Sequence, residues 1–201
     1  MRLPDTAHTS QAWRIHEIAP DFRLEDVWAL PTPGGPDDFG DLVAGALSLR
    51  VEQSSSRVFR GLFAVRWKLG EVFGWDRPVK AADGRVPTLR DRLPTDLRDA
   101  ARPAFTSLPF SSLYVTDTEF AAEAANATMH GVLHFGWVPD GAGGYRGQMA
   151  VLVKPNGVLG RLYMAGIAPF RHLIIYPQLL RDIGRMWQTR GRDPAPSERS
   201  V

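Results

Sequence analysis

Thr128-Met129-His130-Gly131-Val132-Leu133-His134-Phe135-Gly136-Trp137-Val138 is the stretch that decides the fold. In an extended chain alternate residues share a face, so Thr128, His130, Val132, His134 and Gly136 point one way. Met129, Leu133, Phe135 and Trp137 point the other way, as an apolar set suited to packed helices or an apolar pocket. A strand with demands on both faces belongs inside a sheet that is covered on both sides.

Working outward, Pro139-Asp140-Gly141-Ala142-Gly143-Gly144 and Lys154-Pro155-Asn156-Gly157 supply residues tolerant of positive φ, as hairpin reversals require. Strands are expected over 110–116, 119–126, 128–138, 145–154 and 158–167, giving an antiparallel meander. Phe170, Leu173, Ile174, Leu180, Ile183 and Trp187 then fall at helical spacing, with Pro177 expected to kink or restart that helix. Upstream, residues 13–30 read as an opening strand broken by Pro20. Residues 36–47 read as an amphipathic helix carrying Phe39, Leu42, Val43, Ala46 and Leu47, and residues 57–73 as a second helix. The proline-spaced stretch 75–109 is a long connection with helical turns only near 88–93 and 95–101. Residues 1–12 are expected to be a flexible lead-in, 13–190 a single domain and 191–201 a disordered tail.

Bulk composition narrows the function classes. The chain has 201 residues, 44% of them hydrophobic and 23% charged, which suits one globular domain. The absence of cysteine removes disulfides, thiolate metal sites and cysteine nucleophiles, and fits a reducing compartment. A formal charge of +2, with arginines interleaved among acids as in Arg90-Asp91-Arg92, offers no basic stripe for nucleic acid. The first residues lack the apolar core of a signal peptide, and no apolar run approaches the roughly 20 residues that span a bilayer. A cytoplasmic protein without membrane or nucleic-acid partners is expected, as a monomer or homodimer.

The order strand, two helices, antiparallel strands and long final helix is that of the helix-grip or START-like fold, an α+β class in which a curved antiparallel sheet wraps around a long C-terminal helix. A second resemblance is carried by Arg90-Asp91-Arg92-Leu93-Pro94, by residues 126–138, and by Pro169-Phe170-Arg171-His172-Leu173-Ile174-Ile175-Tyr176-Pro177. These segments resemble an uncharacterised domain-of-unknown-function family, found alone and as a tail behind short-chain dehydrogenase/reductase-like domains. That resemblance implies kinship with START-like proteins, including polyketide cyclases and hydrophobic-ligand binders. It carries no established catalytic residues.

Candidate chemistry centres on the histidine face. His130 and His134 would stand about 13 Å apart along the strand at ~3.3 Å per residue, too far to share one small metal ion. An imidazole titrates near neutral pH, and a carboxylate such as Glu123 or Glu119 could orient it for acid/base work. His130, His134, Glu123 and Tyr163 are therefore the candidate catalytic residues, and Trp137, Met149, Gln148, Arg161 and Arg171 the candidate ligand-binding ones. The glycines at 141, 143, 144 and 147 join two strands rather than opening a helix, so they make no nucleotide loop. No motif for a metal or other cofactor, and no hydrolase elbow, Walker loop or zincin helix, is present. Two functions are expected. The first is a pocket protein that binds a small, largely apolar molecule and transforms it in the manner of a cyclase, dehydratase or isomerase. The alternative is a non-catalytic interaction domain that docks a partner enzyme such as a reductase.

Overall fold

A computed structural model describes residues 1–49, 88–100, 102–106, 108, 110–125 and 129–190. The helix expected over 57–73 and the expected tail at 191–201 lie outside the described residues.

Five strands form one antiparallel sheet in the order β1-β5-β4-β3-β2. They are β1 (Arg23–Ala29), β2 (Ser111–Val115), β3 (Glu119–Ala125), β4 (Met129–Pro139) and β5 (Tyr145–Pro155). The meander β2 to β5 follows the sequence expectation, and β1 closes onto β5, with Trp28 opposite Met149 and Val27 opposite Ala150. Residues Gly141 and Gly143 hold φ of 82° and 93° in the β4–β5 turn, a region that glycine enters without a Cβ penalty.

Helix α3 (Phe39–Ser48) and the C-terminal helix α6 (Tyr176–Thr189) cover one face. There Phe120, Phe135, Trp137 and Met149 pack with Phe39, Leu42, Val43, Tyr176, Ile183 and Trp187. The other face is covered by α1 (Thr6–Thr9), α2 (Ile15–Ile18), a 3₁₀ turn (Leu89–Arg92) and α4 (Thr95–Arg98). Trp13, Ile15, Ile18, Leu89, Leu93 and Leu97 pack there on Tyr114, Ala121, Val132, Ala150 and Leu152. The alternation along β4 is thus realised as two apolar layers on either side of one sheet.

Three expectations are corrected. Residues 158–167 are not a strand: the chain runs as α5 (Gly157–Phe170), entered through Gly157 at φ 67°. Leu159, Leu162, Met164 and Ala165 are strong helix formers, and local propensity wins where the apolar spacing is ambiguous. The opening stretch is not extended throughout, since α2 precedes β1. The lead-in expected to fray is tied down: Leu3 N–H donates to the Val27 carbonyl and Ala29 N–H to that of Met1. The outer backbone edge of β1 is therefore paired at Val27 and Ala29, at the end of the strand.

Between α5 and α6 lies a single π-turn (Arg171–Ile175), in which the Tyr176 N–H reaches the Arg171 carbonyl. Pro177 has no N–H for the carbonyl of Leu173, and the wider turn is one solution to that loss. No helix among the described residues is long and apolar enough to cross a membrane.

Gly136 marks the tightest approach between layers, because a Cβ there would stand 2.6 Å from the Trp13 ring. Gly136→Ala should cost about 1–3 kcal/mol through overpacking, read as a lowered urea midpoint with unchanged m-value.

Candidate functional site

The two faces of the sheet carry different chemistry. On the face under α1 and α2, His130 and His134 are buried, and each bonds a carboxylate of the neighbouring strand. His130 Nε2 lies 2.7 Å from Glu123 Oε2, and His134 Nε2 lies 3.0 Å from Glu119 Oε2. The expected pairing of imidazole with Glu123 or Glu119 is present. Glu123 also accepts from Leu89 N–H at 3.0 Å and from the Thr88 hydroxyl. Burial works to raise its pKa, but the bonds from His130, Thr88 and Leu89 outweigh that and leave it lowered.

Glu119 is held by Arg14 N–H at 2.9 Å and by the Tyr114 hydroxyl at 3.2 Å. With Glu119 accepting from His134 Nε2, the neutral His134 ring presents Nδ1 as an acceptor, and His8 Nε2 stands 3.2 Å from it. His8 Nδ1 is then a buried acceptor with no partner. Burial, and the neighbouring His134 and His16, push His8 down to about 3, while burial also lowers His134 against the pull of Glu119. The chain His8, His134, Glu119, Tyr114 acts as a buried polar tether for the N-terminal segment.

As a catalytic residue of a pocket protein, His130 would have to reach a hollow beneath the terminal helix. It lies on the opposite face, against Phe22 with ring centroids 4.9 Å apart. Gln148 shares that face and donates to the Ala7 carbonyl at 3.1 Å. Neither the His130–Glu123 nor the His134–Glu119 pair borders the cavity described next.

That cavity, about 200 Å³, lies between the sheet and α6. Leu133 and Phe135 of β4, Met149 and Val151 of β5, Phe110, and Tyr176, Leu179 and Asp182 of the C-terminal segment supply its walls. The walls are almost wholly apolar, and Met149 is the one expected ligand-binding residue among them. Trp137 lies on the same face but spends its indole N–H on the Gly35 carbonyl and its ring on Trp187. Arg161 sits exposed on α5 rather than on a strand, and the Tyr163 side chain lies outside the described residues.

At one end of the cavity Tyr176 bridges to a charged cluster. Its hydroxyl donates to Asp26 Oδ2 at 2.9 Å, and Asp26, on edge strand β1, has no exposure. Arg171 Nη2 stands 3.4 Å from Asp26 Oδ2, His172 Nε2 3.2 Å from Oδ1, and Arg2 Nη2 3.6 Å from Oδ1. Arg171, a candidate ligand-binding residue in the sequence, pairs with Asp26 and Glu25 and is not among the described residues that line the cavity. Arg171 and His172, consecutive residues of the π-turn, both approach this carboxylate. Burial and the charge of Asp26 raise the Tyr176 phenol, keeping it a donor. The sequence signal for Asp26 is a charge standing two residues from Trp28, on the face that must be buried. Among the described residues no three of His, Cys, Asp and Glu come together as a metal site would need.

Residues 18–178 match the family described as "Protein of unknown function (DUF2867)", and the chain belongs to that family. No curated protein matches the chain, and no solved structure does.

Two outcomes test these contacts. Folded His8 is harder to protonate than unfolded His8, so its tether is intact above the ordinary value of 6.5 and is lost as the pH falls toward about 3. Urea denaturation from pH 7.5 to 4 should show stability falling over that window, with a shallower slope in His8→Gln. Tyr176→Phe removes one donor from buried Asp26 and should cost about 1–3 kcal/mol at pH 7, measured by the same titration.

Proposed function

We propose that this protein binds a small, largely apolar molecule in the cavity between its sheet and its terminal helix. The observation that carries the proposal is the cavity itself, walled by Leu133, Phe135, Met149, Val151 and Leu179, with few polar groups among its described lining residues. Its volume limits the ligand. An apolar cavity of ~150 Å³ is enough for benzene, so about 200 Å³ suits a single ring with a short substituent or a short alkyl chain, not a polycycle. The strand order, with β1 beside β5 and a terminal helix across one face, is the order a helix-grip architecture requires and supports kinship with START-like proteins. The cysteine-free sequence suits a cytoplasmic setting.

Binding, rather than cyclase, dehydratase or isomerase chemistry at His130, is the function proposed. His130 and Glu123 are bonded to each other on the far side of the sheet from the ligand. Ethylbenzene, followed by calorimetry, is the probe. Ala46→Leu and Val151→Phe, which grow side chains into the cavity, should each abolish its binding while His130→Ala leaves it unchanged. Unaltered ethylbenzene binding in both filled variants, with their folds intact by circular dichroism, would overturn the proposal.

A reading as a docking domain for a reductase-type enzyme has one observation in its favour: Phe170 and Leu173, 50% and 75% exposed, stand together at the α5–π-turn junction. Leu173→Asp should then release a short-chain dehydrogenase/reductase partner in pull-down while leaving ethylbenzene binding intact.

A further inference from the structure

Resting on the cavity as the binding site, we infer that its ligand carries a neutral hydrogen-bond donor, a hydroxyl or an N–H, and that Asp182 recognises that donor. Among the described residues of the cavity wall, Tyr176 and Asp182 have polar side chains. The Tyr176 hydroxyl is already committed to Asp26. Asp182 is held through one oxygen only: Oδ1 accepts from Gln178 Nε2 at 2.9 Å and from the Arg185 guanidinium. These two residues lie one helical turn before and after Asp182, so they fix its side chain without consuming Oδ2. Among the described residues nothing bonds Oδ2.

The placement on α6 is informative. Tyr176, Leu179, Asp182, Ile183 and Met186 follow the 3, 4 and 7 spacing of one helix face, and all but Asp182 are apolar or aromatic. A carboxylate in that row, 16% exposed at its side chain, interrupts an otherwise apolar wall. Arg185 offsets its charge, so the pair neither draws a cation strongly nor welcomes an anion beside Oδ2. What Oδ2 offers is a fixed acceptor at the edge of an apolar space, which a ligand donor can satisfy as its body enters. The ligand class is therefore an amphiphile: one ring or a short alkyl body with one hydroxyl or N–H.

Three probes built on the same eight-carbon skeleton separate the contributions: ethylbenzene, 2-phenylethanol and phenylacetate. Water holds the alcohol more strongly than the hydrocarbon, so absolute affinities are uninformative and the comparison is between proteins. A hydrogen bond to a charged group corresponds to roughly a ten-fold change or more in affinity. Asp182→Leu should weaken 2-phenylethanol by about that factor and leave ethylbenzene within about two-fold. Phenylacetate should bind more weakly than 2-phenylethanol to the native protein and gain on it in Asp182→Leu. Asp182→Asn, which keeps an oxygen acceptor, guards against a fold defect and should retain part of the alcohol affinity.

If ethylbenzene binds and is expelled by Ala46→Leu, but Asp182→Leu shifts all three probes alike, the inference about Asp182 is overturned while the cavity function stands. Tightest binding by phenylacetate would overturn it too and would assign Arg185 as the recognising group. If ethylbenzene fails to bind at all, both fall together.

Discussion

A carboxylate with no exposure to solvent, on the edge strand of a sheet, is the constraint from which the functional half of this molecule follows. An isolated buried charge costs several kcal/mol unless it is paired and hydrogen-bonded. Among the described residues Asp26 accepts one hydrogen bond, from Tyr176, and its charge is offset from both ends of the chain: by Arg2 of the N-terminal segment and by Arg171 and His172 of the C-terminal one. The start of α6 is thereby pinned to β1. Once Tyr176 is anchored, the rest of the helix is aimed across β5 and β4, which brings Leu179 and Asp182 over Met149 and Phe135 and leaves the cavity beneath them.

The sheet separates two kinds of interior. Under the N-terminal segment, polar groups are buried and spend themselves on one another: His130 with Glu123, His134 with Glu119 and His8, Gln148 with the Ala7 carbonyl. Under α6, beyond the Asp26 cluster at its start, the buried surface is chiefly aromatic and aliphatic. Networks of the first kind add specificity to how segments dock when every member is satisfied. The second kind can leave room for a guest, because the described walls are almost wholly apolar and hold water weakly.

Much of this architecture is legible in the residues. The alternation of β4 places two imidazoles on one face and Phe135 and Trp137 on the other, and the glycine-rich turns give the meander. Glu123 beside His130 follows from adjacent antiparallel strands. What alternation cannot tell is which face meets the terminal helix, since both faces of β4 are covered, so the side on which the imidazoles fall is not legible in the strand alone. Residues 158–167 misled because Asn156-Gly157 has the chemistry of a hairpin turn, while a glycine at positive φ redirects a chain into a helix equally well. His8 carries no signal and Asp26 only its place two residues from Trp28, because their hydrogen-bond partners stand more than a hundred residues away, and isolated polar residues near a terminus look solvated until those partners are in place.

The π-turn links these observations to the way the family's chains can vary. Each residue added to or removed from a helix rotates everything beyond it by about 100°. The π-turn at Arg171–Ile175 thus sets the phase of the fourteen residues of α6 relative to the sheet. Removing one residue between Arg171 and Ile175 would swing Leu179 and Asp182 off the cavity and offer it other side chains, while the strands stay as they are. A relative with that shorter turn would keep this scaffold and present a different wall to its guest.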